Sequence, residues 1–216
     1  MKKLTLILAV ALVSFNCAFA QQDAKAKTIL DQVSAKTKSF STIKIGFTFE
    51  RKTKDDAQKS EKSAGTLLLK GQKYQLSLMG NTIYSDGKTV WTHMIDEKEV
   101  SIANVDGSGQ MFNPAQMLTI YEKGFKYKFI QERFENGRAL YIIDLYPEDA
   151  KKSEFSSVRL TILKDKSQIW KIEYFAKDKN IYVITVNTFE PNVALADSVF
   201  VFDKSKFPGI QVIDER

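Results

Sequence analysis

The chain has 216 residues, 44% of them hydrophobic and 27% charged, with 32 basic and 26 acidic side chains for a formal charge of +6. That length carries a substantial core within one domain, and a mild positive balance without any dense basic cluster argues against nucleic-acid binding. One histidine and one cysteine leave almost no material for a metal site of the His/Cys kind, so no metal and no cofactor is expected.

Lys2 and Lys3 precede an apolar run from Leu4 to Val13, broken only by Thr5. The run is too short to span a bilayer, which takes roughly 20 residues, and it suits the core of a secretory signal. Ala18-Phe19-Ala20 supplies small residues for cleavage, so residues 1–20 are read as a signal peptide and Gln21 as the new N-terminus of one domain, 21–216. Cys17 lacks the small preceding residue of a lipid-attachment site, since Asn16 stands there, and it goes with the discarded peptide. The exported chain then has no thiol, and no disulfide supports it.

Residues 23–38 read as an amphipathic helix with Ala26, Ile29, Leu30 and Val33 on one side. The period then changes to two: Ile43, Ile45, Phe47 and Phe49 alternate with Lys44, Gly46, Thr48 and Glu50 in a half-buried strand. The polar run 51–63 is a hairpin loop or the frayed strand ends around one, and Gly65–Lys70 forms the returning strand. A meander follows over 74–79, 82–85, 89–95 and 99–103, with Gly80-Asn81 and Asp86-Gly87 among its turns. Asp106-Gly107-Ser108-Gly109 is a flexible loop without the Gly-Lys-Ser/Thr of a phosphate loop. Asn113-Pro114 then caps a helix near 114–122. Strands resume at 126–134, 139–146, 157–163, 169–176, 182–190 and 199–201, the first two joined by Asn136-Gly137. About ten or eleven strands with short helices predict a mainly β (α+β) fold, a strongly curved antiparallel sheet or half-open barrel with the helices on one face.

Catalytic chemistry has little to stand on. His93 sits mid-strand beside Trp91, no Gly-x-Ser-x-Gly elbow accompanies it, and it reads as a strand histidine, hydrogen-bonded or solvated on one face. A hydrolase using His93 or a carboxylate pair is the remote reading. Fifteen Phe and eight Tyr are the unusual feature, with Met79, Met94, Met111 and Met117 among the pliable apolar groups. Met111, Phe112, Met117, Leu118 and Ile120 lie on or beside the Gly-flanked loop and helix, a composition suited to a lid over an apolar pocket.

The stretch Ser85-Asp86-Gly87-Lys88-Thr89-Val90-Trp91-Thr92 resembles a strand-turn-strand of the outer-membrane lipoprotein carrier family, LolA. Ser39-Phe40, Gly46-Phe47-Thr48-Phe49, Gly65-Thr66-Leu67-Leu68-Leu69-Lys70, Glu99-Val100-Ser101-Ile102 and the ending Phe202…Pro208-Gly209-Ile210-Gln211-Val212-Ile213-Asp214 follow in the family's order. The resemblance implies a half-open barrel of about eleven strands closed by helices around an apolar cavity. It implies a monomeric, non-enzymatic periplasmic shuttle for acylated lipoproteins, which receives them from an inner-membrane exporter and delivers them to the outer membrane, to a receptor where one exists. A lipid- or lipoprotein-sensing regulatory protein of the same fold is the alternative role.

The period of two places Ile45, Phe47, Phe49, Leu67, Leu69, Tyr74, Leu76 and Leu78 in the acyl-chain pocket, with Met94 beside them and Trp91 compatible with either face. Met111, Met117, Leu118 and Tyr121 are the expected lid residues. The family's pattern has an arginine after the second strand that holds the lid helices shut. Lys70-Gly71-Gln72 stands there instead, which leaves Lys70 and Lys73 as latch candidates without arginine's planar fork.

Overall fold

The structure is a computed structural model and describes residues 23–53, 56–107 and 114–216, the side chains of 56–59 and 107 excepted. The expected signal peptide, its cleavage site and Met111 lie outside the described residues. The elements are α1 (Ala24–Lys38), β1 (Ile43–Thr53), β2 (Asp56–Lys70), β3 (Lys73–Leu78), β4 (Asn81–Ser85), β5 (Thr89–Met94) and β6 (Glu99–Asn104). A 3-10 segment at Pro114–Glu122 leads to β7 (Phe125–Glu135), β8 (Arg138–Pro147), β9 (Phe155–Leu163), β10 (Gln168–Ala176), β11 (Asn180–Pro191) and β12 (Gln211–Asp214).

The twelve described strands form one sheet in the order β12-β6-β5-β4-β3-β2-β1-β11-β10-β9-β8-β7. Two meanders, β1 to β6 and β7 to β11, are joined edge to edge by the β1–β11 pair. Every pairing among them is antiparallel except β12 against β6. The hairpin at Asp86-Gly87 shows how turn chemistry sets such registers. Asp86 Oδ1 accepts from the Lys88 and Thr89 amides at 2.8 Å each, and Gly87 takes φ +93°, a region that favours glycine.

The polar run after β1 belongs to strands, the second of the two readings above. β1 continues to Thr53 and β2 begins at Asp56, because the polar residues are paired by charge across the ladder. Arg51 bonds Glu61 at 2.8 Å, and Lys52 and Lys62 flank Glu50 at 3.3 and 3.5 Å. Two further expectations are corrected. Residues 199–201 are not a strand; Asp197–Phe200 is a 3-10 turn that buries Phe200 completely. Three apolar residues are too few to fix a period of two. Gln211–Asp214 is a strand the periodicity did not reveal, since all four residues are exposed and its order comes from pairing with β6.

The sheet has two unlike faces. On one, Ile45, Phe47, Leu67, Leu69, Tyr74, Ile143, Leu145, Leu160 and Tyr174 pack with Ala26, Ile29, Leu30 and Val33 of α1. Each of the larger side chains among them contributes about 1.5–3 kcal/mol on burial. On the other, β8, β9, β10, β1 and β2 present polar cross-strand neighbours. Arg159 donates to both oxygens of Asp144 at 2.7 and 2.8 Å, with Glu173 opposite Arg159 in the register. The packing on the first face is close. A Cβ built on Gly65 would lie 2.3 Å from Cζ of Phe47, so the ring occupies the space a side chain at 65 would need.

Candidate functional site

The apolar face is covered by two short elements, and each is secured by polar contacts at its end. Asp23 caps α1, its Oδ1 accepting from the Lys25 and Ala26 amides at 3.0 Å each. Its Oδ2 accepts from the Phe129 amide at 2.9 Å, so one carboxylate both starts the helix and pins it to β7. The bond from Ala26, aided by those from Phe129 and Lys25 and opposed by burial, holds the Asp23 carboxyl below its ordinary value. Lys25 Nζ lies 3.8 Å from the centre of the Phe129 ring and adds a cation–π contact at the same joint.

The second cover is the Pro114–Glu122 segment, a 3-10 turn interrupted at Thr119, where φ is −131°. Met117, Leu118 and Tyr121 turn inward and are 8%, 4% and 4% exposed within the main core cluster. Its end is tied to α1 through Glu122, which receives the Ser34 hydroxyl and pairs with Lys38 at 2.7 Å. Burial would raise the Glu122 carboxyl, but the bonds from Lys38 and Ser34 outweigh it and hold the group below its usual value. Tyr121 is the contrasting neighbour. Among the described residues its buried hydroxyl has no well-aligned hydrogen-bond partner, and burial with the Glu122 charge outweighs the nearby Ser34 hydroxyl and pushes the phenol above its ordinary range.

An open cavity of about 390 Å³ lies at this joint of α1, the 114–122 segment and the start of β7. Leu30, Tyr121, Phe125 and Tyr127 are apolar lining, and Lys27, Asp31, Lys38 and Glu148 are charged lining. The lining is more polar than apolar, so the cavity marks the joint between the two covers and the apolar surface lies beneath them.

The sequence-derived candidates fall into four groups. Ile45, Phe47, Leu67, Leu69, Tyr74, Met117, Leu118 and Tyr121 come together in the core beneath the two covers, with Phe49, Leu76 and Leu78 half-buried against them. Met94 is half-buried at the margin, opposite Asn81, which in turn pairs with Leu78. Trp91 is elsewhere: it packs with Tyr84 against Val100, Phe202 and Ile210, under the C-terminal segment. Lys70 and Lys73 also turn to that segment, bonding Asp197 at 2.8 and 2.9 Å rather than the 114–122 segment.

His93 belongs to the same second cluster. It is 3% exposed, not solvated, with its ring centre 4.4 Å from Phe207 and 5.2 Å from Phe202, and burial lowers its pKa. Among the described residues no three His, Cys, Asp or Glu side chains are grouped to hold a metal. No described helix is long and apolar enough to cross a membrane.

Sequence reasoning passed over the half of the site that β7 to β11 supply. Phe125, Tyr127 and Phe129 pack on the core from β7, and Ile143, Leu160, Ile172 and Tyr174 complete it. The signal was the same alternation used on β1. The Glu122 tie had no comparable signal, since Ser34 and Glu122 are 88 positions apart.

Comparison with known proteins gives the family. Residues 38–203 match the family described as outer membrane lipoprotein carrier protein LolA. No curated protein matches the chain. An uncharacterized conserved protein from Thermus thermophilus superposes with a TM-score of 0.60 at 11% identity, covering 88% of this chain and 99% of that one. A LolA superfamily protein from Nitrosomonas europaea gives 0.45 at 11% identity over 85% and 99% of the two chains. The MucA/MucB complex of Pseudomonas aeruginosa gives 0.43 at 12% identity over 83% and 62%. With the match spanning both meanders and the segment between them, the chain belongs to the outer membrane lipoprotein carrier (LolA) family.

Proposed function

We propose that the protein is a non-enzymatic periplasmic carrier that shelters lipoprotein acyl chains beneath α1 and the 114–122 segment. In this reading it is exported with cleavage after Ala20. As a monomer it takes acylated lipoproteins from an inner-membrane exporter and releases them at the outer membrane, to a receptor where one exists. The supporting observation is a large apolar sheet face whose cover is two short elements, one of them secured at its end by Glu122 with Ser34 and Lys38.

The magnitudes suit a shuttle. Burying a ~14-carbon chain is worth roughly 11 kcal/mol at about 0.8 kcal/mol per methylene. Uncovering Met117, Leu118 and Tyr121 to admit it costs about 1.5–3 kcal/mol for each side chain. The two terms offset in large part, leaving an affinity from which cargo can leave. Lys70 and Lys73 take no part in closing the lid in this reading; Glu122 does.

The test is capture of a diacylated lipopeptide by the wild-type protein and by Leu118→Asp. The wild type is expected to hold the lipopeptide in solution, and the variant to bind it at least tenfold more weakly while keeping its circular dichroism. Equal binding by the two overturns the lid assignment. Recovery of one membrane protein and no acylated lipoprotein on native purification would favour the regulatory role instead.

A further inference from the structure

At the far end of β7 from the lid lies a second open cavity, of about 410 Å³, between the β7–β8 turn, the β9–β10 turn and the middle of β11. Phe125 and Phe134 are nine residue steps apart along the strand, about 30 Å at 3.3 Å per step, so this end is remote from the lid joint. Two sheet irregularities flank it. The β9–β10 register shifts between Ile169 and Lys171, which leaves Trp170 outside the ladder, and the β1–β11 register shifts so that Asn187 is skipped. Bulges of this kind re-aim side chains and are frequent beside binding sites.

The composition of this end is amphipathic. Phe134 is 76% exposed on the hairpin tip, and Trp170 and Phe189 are half-buried in the cavity wall. The Arg138 guanidinium lies 5.0 Å from the Trp170 ring centre, and Lys166 lines the same cavity. Arg138 and Lys166 have no acidic partner among the described residues, whereas their neighbours Arg133 and Lys164 are bound to Glu135 and Glu132. Asp165 is the acid in the lining.

We propose that this end is a docking surface for an anionic phospholipid bilayer. A lipid phosphate sits between Arg138 and Lys166, Phe134 enters the acyl boundary, and Trp170 rests at headgroup level. Unpaired cations beside a protruding apolar ring match an anionic, apolar-backed surface, and aromatic side chains favour that interface. Docking here leaves the lid free, so the inference adds an approach to the membrane and does not depend on the acyl-chain reading.

Vesicle flotation at low ionic strength tests it. The wild type is expected to float with phosphatidylglycerol-containing vesicles and not with phosphatidylcholine alone, with a blue shift of Trp170 emission. Arg138→Gln and Lys166→Gln should each weaken binding on the order of fivefold, and together about twenty-five-fold. Phe134→Ser should abolish the blue shift. Equal flotation on neutral vesicles, undiminished binding by the three variants, or full competition by soluble glycerol phosphate would each overturn the proposal.

Discussion

The two apolar clusters of this sheet are closed in different ways. The larger lies under α1 and the 114–122 segment, which lie on the sheet without joining its hydrogen-bond ladder and are tied down by Asp23 and Glu122. The smaller lies under residues 195–214, whose last element, β12, is built into the sheet. Asp197 is gripped by Lys70 and Lys73, Phe202 stacks on Phe207 with centres 5.2 Å apart, and β12 extends the ladder at β6. The first cover opens by losing side-chain packing and a few polar ties, whereas opening the second also breaks the backbone bonds between β12 and β6. The difference predicts that the first cluster opens more readily than the second.

The strongest way to break the comparison is to damage both regions and compare the costs. Phe202→Ala should lower stability by about 3–5 kcal/mol in urea unfolding, as for large aromatic truncations, yet leave lipopeptide affinity of the folded protein unchanged. Gly65→Val, which drives a side chain into the Phe47 ring, should cost about 1–3 kcal/mol and disturb the larger cluster, lowering both stability and binding. If Phe202→Ala abolished binding in a folded sample, the clusters would not be separable.

The His93 environment gives a pH-dependent version of the same contrast. Burial lowers the folded-state pKa from 6.5, so folding favours the neutral ring. The penalty is absent above the unfolded pKa and grows as pH falls below it. The urea midpoint should therefore drop between pH 7 and 5, and His93→Phe should flatten that part of the profile. An unchanged slope in the variant would place the acid sensitivity elsewhere.

The smallest effects concern the ties. Glu122→Gln should change global stability by no more than about 1 kcal/mol while speeding amide exchange across 114–122. Asp197 titrates at about 2 because its bonds to Lys70 and Lys73 hold it below 3.8. Its small contribution is present above pH 3.8 and lost as pH falls toward 2, which an acid-unfolding comparison with Asp197→Asn would detect.

The strands and α1 were legible because each buries one face and so writes its period into the residues. Ile43, Ile45 and Phe47 show a period of two, and Ala26, Ile29, Leu30 and Val33 a period near 3.6. β12 was illegible because it buries nothing: its order comes wholly from backbone bonds to β6. Trp91 illustrates the limit of alternation, which separates two faces without saying what covers each. The fates of Lys70 and Lys73 were hidden for a related reason, since Asp197 lies more than a hundred residues downstream. Long-range polar partners leave no period, and the lid tie at Glu122 was unreadable on the same ground.

The most direct test of a mobile cover over a fixed frame is hydrogen exchange with and without a diacylated lipopeptide. Altered protection is expected in α1 and residues 114–122, with residues 197–214 unchanged. Changes concentrated in 197–214, or none in α1 and 114–122 at saturating lipopeptide, would contradict it.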